Sequence, residues 1–110
     1  MYRCLKVDTL REKKFGYEND LPVGDMKVVK AGDREILLIK LESGIYALDN
    51  FCTHGGCRLG YGKLEGETIR CLCHGSVFHV KTGEVLDGLA TKPQPTYTVI
   101  LKDGQITLTL

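Results

Sequence analysis

The sequence lacks both a block of like charges and a long apolar run. Its 110 residues carry 15 basic and 14 acidic side chains, mixed along the chain. Binding to nucleic acid requires a clustered basic face, so no nucleic-acid partner is expected. No run approaches the roughly 18 apolar residues of a membrane-spanning helix. The first residues also lack the apolar segment of a secretory signal, and a cytoplasmic location without a membrane span is expected.

The sequence also lacks a long segment with the apolar period of an amphipathic helix. Turn-forming residues recur about every eight to twelve positions, and the runs between them favour strands. The pairs Ser43-Gly44 and Asp103-Gly104 indicate hairpins. We therefore predict an all-β fold in one domain over residues 1–110, built from small stacked sheets. Strands are predicted over five segments: 35–41, 45–48, 77–80, 96–101 and 105–110.

Two details of this prediction concern the ends of the chain. In the last segment, Ile106 and Leu108 alternate with Thr107 and Thr109. The period of two predicts a half-buried strand with its threonines in solvent. Near the other end, residues 9–14 are expected to form one turn of helix at most.

Cysteines are concentrated in one part of the chain. Four of the five cysteines fall within 22 residues, together with two histidines. The pattern is Cys52-Thr53-His54, sixteen residues, and then Cys71-Leu72-Cys73-His74. A disulfide framework would spread its cysteines along the chain, whereas clustering beside histidines favours a metal site. The surrounding segments, 50–64 and 71–76, are rich in glycine and are expected to be loops.

Zinc is the main alternative metal, because structural zinc sites also use cysteine and histidine on loops. Common zinc modules contain Cys-x-x-Cys pairs, however, and here the motifs are Cys-x-His and Cys-x-Cys-His. A zinc module that only binds partners therefore remains as an alternative, although the spacing favours it less. Visible colour would distinguish it, since zinc proteins do not absorb visible light.

The two motifs resemble the signature of the Rieske family, which is Cys-x-His, a spacer of about this length, and Cys-x-x-His. Residues 52–57 and 71–76 are similar to the cluster-binding boxes of Rieske subunits in cytochrome bc complexes. Residues 78–85 and the Pro93-x-Pro95 loop are more similar to soluble Rieske ferredoxins of oxygenase systems. The resemblance is closest to soluble archaeal and bacterial Rieske ferredoxins of the sulredoxin type. It implies the Rieske fold, an antiparallel β-sandwich whose two loops form a cluster-binding subdomain at about residues 50–80.

The resemblance also implies a cofactor and its ligands. One [2Fe–2S] cluster would be held by thiolates on the inner iron and by imidazoles on the outer iron. The family's cysteine positions are Cys52 and Cys71, and its histidine positions are His54 and His74.

The resemblance also implies that residues next to the ligands adjust the cluster's reduction potential. Ser76 stands where high-potential relatives have a serine that donates to a bridging sulfide. Phe78 stands where those relatives have a tyrosine that donates to a ligand sulfur, so this donor is missing. Cys57 and Cys73 match the positions that form a disulfide in the bc-type boxes, although two separate thiols remain an alternative. Pro93 and Pro95 would cover the cluster, or form an ordinary rigid loop.

Mixed ligation explains the expected redox behaviour. Two thiolates neutralise the +2 core of an oxidised cluster, and reduction then adds only one negative charge, which places the potential between about −150 and +300 mV. A ligand imidazole can also lose its second proton, so the potential is expected to fall as the pH rises.

We therefore expect a one-electron carrier, not an enzyme. Its partners would be a redox donor and acceptor: a reductase, an oxygenase or a respiratory component. A subunit or fragment of a respiratory or oxygenase complex is the alternative.

Four aromatic residues are predicted to pack in the core and not to contact partners. They are Tyr46, Phe51, Tyr61 and Phe78. Arg58, directly after the first motif, is expected either to steer an acidic partner or to be a solvated charge.

Overall fold

The chain folds almost entirely into β-strands. The computed structural model describes residues 12–53, 56–73, 75–88 and 90–109, and these ranges contain two 3-10 turns, Glu18–Asp20 and Leu59–Tyr61. The strands within the same ranges are β1 (Glu12–Tyr17), β2 (Met26–Ala31), β3 (Arg34–Leu41), β4 (Gly44–Asp49), β5 (Lys63–Glu65), β6 (Thr68–Arg70), β7 (Val77–His79), β8 (Val85–Asp87), β9 (Thr96–Lys102) and β10 (Gln105–Thr109). No helix in the described part of the chain is long and apolar enough to cross a membrane.

The strands form two antiparallel sheets. A six-stranded sheet has the order β1-β10-β9-β4-β3-β2, and a four-stranded sheet has the order β5-β6-β7-β8. Only two residue pairs, Ala47↔Tyr97 and Leu48↔Thr96, join β4 to β9 within the large sheet. The predicted all-β antiparallel fold is therefore confirmed.

Strand β3 is buried on both faces, which explains its nearly continuous apolar sequence. Leu37 and Ile39 point into a core that also contains Cys52 and Cys71, and we call this the cysteine-side core. The alternate residue Ile36 points into a second, opposite core built with residues of β4 and β10. Successive side chains of a strand face opposite sides, so one strand supports both cores.

The five predicted strands correspond to β3, β4, β7, β9 and β10, and both predicted hairpins are present. Leu41 pairs with Gly44 across the first turn, and Lys102 pairs with Gln105 across the second. Residues 12–14, where one turn of helix at most was expected, belong to β1. Residues 9–11 lie outside the described residues, as does Leu110.

The predicted exposure of Thr107 is also wrong. Its side chain is only 2% exposed, whereas Thr109 is exposed as expected. Thr107 pairs with Lys14 of β1 and with Ile100 of β9. Directly paired residues share a face of the sheet, so these two longer side chains cover the small threonine between them.

Candidate metal centre

Two loops present the clustered cysteines, and both are closed by the same pair of backbone hydrogen bonds. In the first loop, the Cys52 amide donates to the Cys57 carbonyl (2.7 Å) and the Gly56 amide donates to the Cys52 carbonyl (2.8 Å). In the second loop, the Cys71 amide donates to the Ser76 carbonyl (2.8 Å) and the Gly75 amide donates to the Cys71 carbonyl (2.9 Å). The two cysteines therefore occupy equivalent places in two equivalent turns.

The equivalence extends to the glycines that complete these turns. Gly56 and Gly75 have φ values of 73° and 75°. A side chain is strained in this left-handed region, so glycine is the residue that closes each turn without cost. Glycine at both positions thus follows from the loop geometry.

The thiols of the two equivalent cysteines lie in an apolar environment. Cys52 is 3% exposed and Cys71 is fully buried, and both belong to the cysteine-side core together with Phe78. Neither is part of the disulfide. A thiolate is costly in such surroundings unless a cation balances its charge. Two buried thiols, one on each of two matching loops, therefore fit an iron–sulfur cluster held between the loops.

A disulfide joins the same two loops. It links Cys57 to Cys73 across a sequence separation of 16 residues. The Cys71 sulfur lies within 4.8 Å of both disulfide sulfurs. Since disulfide sulfurs are not thiolate ligands, this group of three sulfurs is not itself a metal site. It shows instead that the covalent link between the loops lies next to a buried thiol.

The two histidines of the sequence motif, His54 and His74, lie outside the described residues. Their role as ligands stays a prediction. The structure does place Thr53 before the first histidine and Cys73 and Gly75 around the second, and it brings the two loops together through the disulfide.

Ser76 is completely buried at the end of the second loop. Its hydroxyl oxygen accepts a hydrogen bond from the Ala90 amide at 3.1 Å. Because the oxygen accepts this bond, the hydroxyl proton is available for donation to a second group. This arrangement suits the donor role expected for Ser76 beside a bridging sulfide.

Arg58 is half-exposed and forms an ion pair within the chain, so it is not simply a solvated charge; its steering of a partner stays a prediction. Its guanidinium donates to both carboxylate oxygens of Glu35, at 2.9 and 3.1 Å. Asn50, which is fully buried, donates to the same carboxylate at 3.0 Å and accepts from the Gly60 amide at 2.9 Å. The hydrogen bond from Arg58, followed by that from Asn50, lowers the pKa of Glu35. This network ties β3 to the base of the first loop.

Sequence reasoning missed the network around Glu35 and a second residue, Gln94. The Gln94 side chain is 2% exposed and bonds the backbone beside Cys52.

The prediction that Tyr61 lies in the core is wrong, because this side chain is 76% exposed at the 3-10 turn after the first loop. Phe78 is fully buried as expected, while Tyr46 and Phe51 are partly buried.

Comparison with known proteins identifies the family. The model of the Rieske [2Fe–2S] domain matches residues 12–98. The chain belongs to the Rieske family.

Two Rieske relatives are informative. The ferredoxin component of the naphthalene 1,2-dioxygenase/salicylate 5-hydroxylase systems of Ralstonia sp. is 42% identical over 90 residues, covering 82% of this chain and 86% of the relative. Sulredoxin of Sulfurisphaera tokodaii is 35% identical over 79 residues, covering 71% of this chain and 72% of the relative. Among solved structures, a chain of the complex of reduced oxygenase and oxidised ferredoxin in carbazole 1,9a-dioxygenase is similar, with a TM-score of 0.86 and 28% identity. That match covers 90% of this chain and 93% of the other.

These findings establish the general function. The Rieske chain carries electrons with one [2Fe–2S] cluster and is not itself an oxygenase, because relatives such as the one from Ralstonia sp. are the ferredoxin components of oxygenase systems. A [2Fe–2S] cluster, when bound, would supply one-electron chemistry, which a lone zinc ion does not. The zinc-module alternative is therefore not favoured.

Proposed function

We propose that the cluster is held by the thiolates of Cys52 and Cys71 and by the imidazoles of His54 and His74. One domain over residues 1–110 would contain the site, with a cluster-binding subdomain at about residues 50–80. The observation that carries this proposal is the pair of equivalent loops, each presenting a buried cysteine to the same core. In the sequence, a histidine follows each of these cysteines by two or three positions.

The protein's own groups would adjust the cluster's potential. Ser76 would donate its hydroxyl proton to a bridging sulfide, which favours the more negative, reduced state. Phe78 offers no hydroxyl, so a second stabilising donor is lacking. An intermediate potential follows, and it is expected to fall as rising pH removes protons from the ligand imidazoles of the oxidised protein.

We infer further that the chain passes electrons from a reductase to the terminal oxygenase of a multicomponent oxygenase system, as a soluble protein of the cytoplasm. The relative from Ralstonia sp., named as a ferredoxin component of such systems, supports this inference. The disulfide and Ser76 are features shared with respiratory Rieske subunits, but the similarity to free ferredoxins over most of both chains favours a separate carrier.

Reconstituted electron transfer tests this function. A flavin reductase and the terminal oxygenase of a naphthalene dioxygenase system would be mixed with naphthalene, with and without the reconstituted chain, and the dihydroxylated product would be measured. We expect product formation to depend on the chain and to be abolished by Cys71→Ser. The matched control is Cys4→Ser, which alters a cysteine outside the motif. A reduced chain that fails to pass electrons to any such oxygenase, yet reduces a c-type cytochrome rapidly, would contradict the oxygenase assignment.

A further inference from the structure

The Gln94 side chain bonds the backbone on both sides of Cys52. Its carboxamide nitrogen donates to the carbonyl of Phe51 and to that of Asp49, each at 2.6 Å. Its carboxamide oxygen accepts from the Thr53 amide at 3.2 Å. The side chain is 2% exposed, so these bonds are shielded from competing water. Every polar atom of the carboxamide is therefore directed at residues 49–53.

These bonds complete the fixation of two peptide groups. Gln94 bonds the carbonyl of the peptide before Cys52 and the amide of the peptide after it. The remaining ends of these peptides, the Cys52 amide and carbonyl, bond Cys57 and Gly56 within the loop. Both peptide planes that flank Cys52 are thus held at both ends. The direction in which the Cys52 side chain leaves the backbone is set by these two planes.

The second loop is supported in a different way, by strands on both sides. Cys71 directly follows β6, and its loop is the turn of the β6–β7 hairpin, closed by the pair Arg70↔Val77. The first loop returns into a 3-10 turn instead, and a single isolated bridge, Phe51↔Arg58, closes it. Gln94 gives the first loop the external support that a paired strand gives the second.

Gln94 is itself held firmly. Its amide donates to the Gly83 carbonyl at 2.7 Å, and a Cβ at Gly83 would collide with the Gln94 carbonyl. Prolines on both sides restrict the backbone, since residues before proline favour extended conformations. A second link runs alongside, in which the Thr53 hydroxyl donates to the Lys92 carbonyl at 2.8 Å. The proline loop and the first cysteine loop are therefore joined at several points.

We propose that Gln94 is a positioning residue for the cluster: by fixing the peptides around Cys52, it sets the placement of this cysteine relative to Cys71 of the second loop. This inference rests on the ligand set proposed above. Removing the carboxamide leaves two carbonyls and one amide without their partner in a buried place. The first loop then takes several arrangements, and the cluster is held in a range of geometries.

The test compares Gln94→Met, which keeps the length of the side chain but removes its polar atoms, with the wild type. The control is Gln105→Met, which alters the chain's other glutamine, a partly buried residue of β10 that bonds the Tyr17 hydroxyl. Electron spin resonance of the reduced cluster reports its geometry, and bleaching by an iron chelator reports the rate of cluster loss. For Gln94→Met we expect shifted and broadened g values and cluster loss about tenfold faster, as loss of a buried hydrogen bond predicts. Gln105→Met should match the wild type.

A milder variant keeps the test decisive if Gln94→Met does not fold. Gln94→Asn keeps the carboxamide but shortens the side chain by one carbon, so its polar atoms no longer reach all three backbone partners. Faster cluster loss and broader lines in Gln94→Asn than in the matched control Gln105→Asn would support the proposal, and equal behaviour of the two would overturn it. Wild-type g values and loss rate in Gln94→Met would also overturn it, as would equal effects of Gln94→Met and Gln105→Met. A wild type without a Rieske-type signal would instead refute the proposed ligand set.

Discussion

Phe78 is the residue whose expected effect on the cluster's reduction potential is simplest to test. Its ring is completely buried in the core that contains both equivalent cysteines. In high-potential members of the family a tyrosine at this position donates a hydrogen bond to a ligand sulfur. Such a bond stabilises the reduced cluster, which carries one more negative charge than the oxidised cluster. We therefore expect its absence here to lower the potential.

Phe78→Tyr should therefore raise the reduction potential. A hydrogen bond to a charged group contributes about 1.5–3 kcal/mol, which corresponds to an upper bound of about 65–130 mV for one electron. Redox titration of the reconstituted variant measures the shift. Phe15→Tyr is the matched control, because Phe15 packs against the opposite core. An unchanged or lower potential in Phe78→Tyr would contradict this role.

At the level of single residues, the sequence predicted the candidate ligands but not the residues that hold their loops in place. Cys52 and Cys71 were found because a motif joins them to histidines a few positions away. Gln94 was missed because it bonds residues 41 to 45 positions earlier in the chain, and no local pattern records such contacts. A signal existed in retrospect, since a glutamine between two prolines is a polar side chain on a rigid loop.

Among the structural elements, β3 connects the fold to the site. Its apolar side chains form both cores, and Glu35 near its start bonds Arg58 and Asn50 at the base of the first loop. The Glu35 side chain is 13% exposed and that of Arg58 is 47% exposed. The network thus begins on a buried strand and ends at the edge of the loop.

Glu35→Gln should destabilise the protein at neutral pH but not in acid. The pKa of Glu35 is lowered below its ordinary value of 4.5, chiefly by Arg58. Stability from the ionised form is therefore complete above that ordinary value and is lost as the pH falls through the lowered pKa. Thermal unfolding from neutral to acid pH should show a difference from wild type that disappears in acid. Glu12→Gln, which breaks the more exposed pair with Lys102, is the control and should differ little at any pH. A difference for Glu35→Gln that persists at the lowest pH would contradict the account.

Strand length only partly decided which strands could be predicted, because three-residue β7 was predicted and six-residue β1 and β2 were not. β3, β9 and β10 contain five to eight residues and end at recognisable turns, so their patterns are visible. β5, β6 and β8 have three residues each, which is too few to show a period. These strands exist because they pair with each other and with β7 around the second loop. Their stability comes from tertiary packing, which the sequence does not display locally.

At the scale of the whole molecule, the disulfide joins two parts of the chain that otherwise meet through packing. Cys57 follows the first loop's turn, and Cys73 lies in the second loop next to buried Cys71. A domain of this size buries a limited area, so a covalent link and a bound cluster both contribute to its stability.

Replacement of both disulfide cysteines, Cys57→Ser with Cys73→Ser, should lower the free energy of unfolding by about 3 kcal/mol, the loop-closure value for a link of this length. Denaturant unfolding without reductant measures this difference. Cys4→Ser is the control, and it should unfold like the wild type. A double variant as stable as that control would show that the link does not stabilise the fold.

The central claim is that two cysteines and two histidines hold one [2Fe–2S] cluster, and a potentiometric titration followed by electron spin resonance tests it most directly. We expect a coloured protein that takes up one electron per chain. Its reduced signal should have an average g below that of all-cysteine [2Fe–2S] clusters, at a potential between about −150 and +300 mV. An iron-free, colourless protein after anaerobic reconstitution, or a signal of the all-cysteine type, would contradict the account.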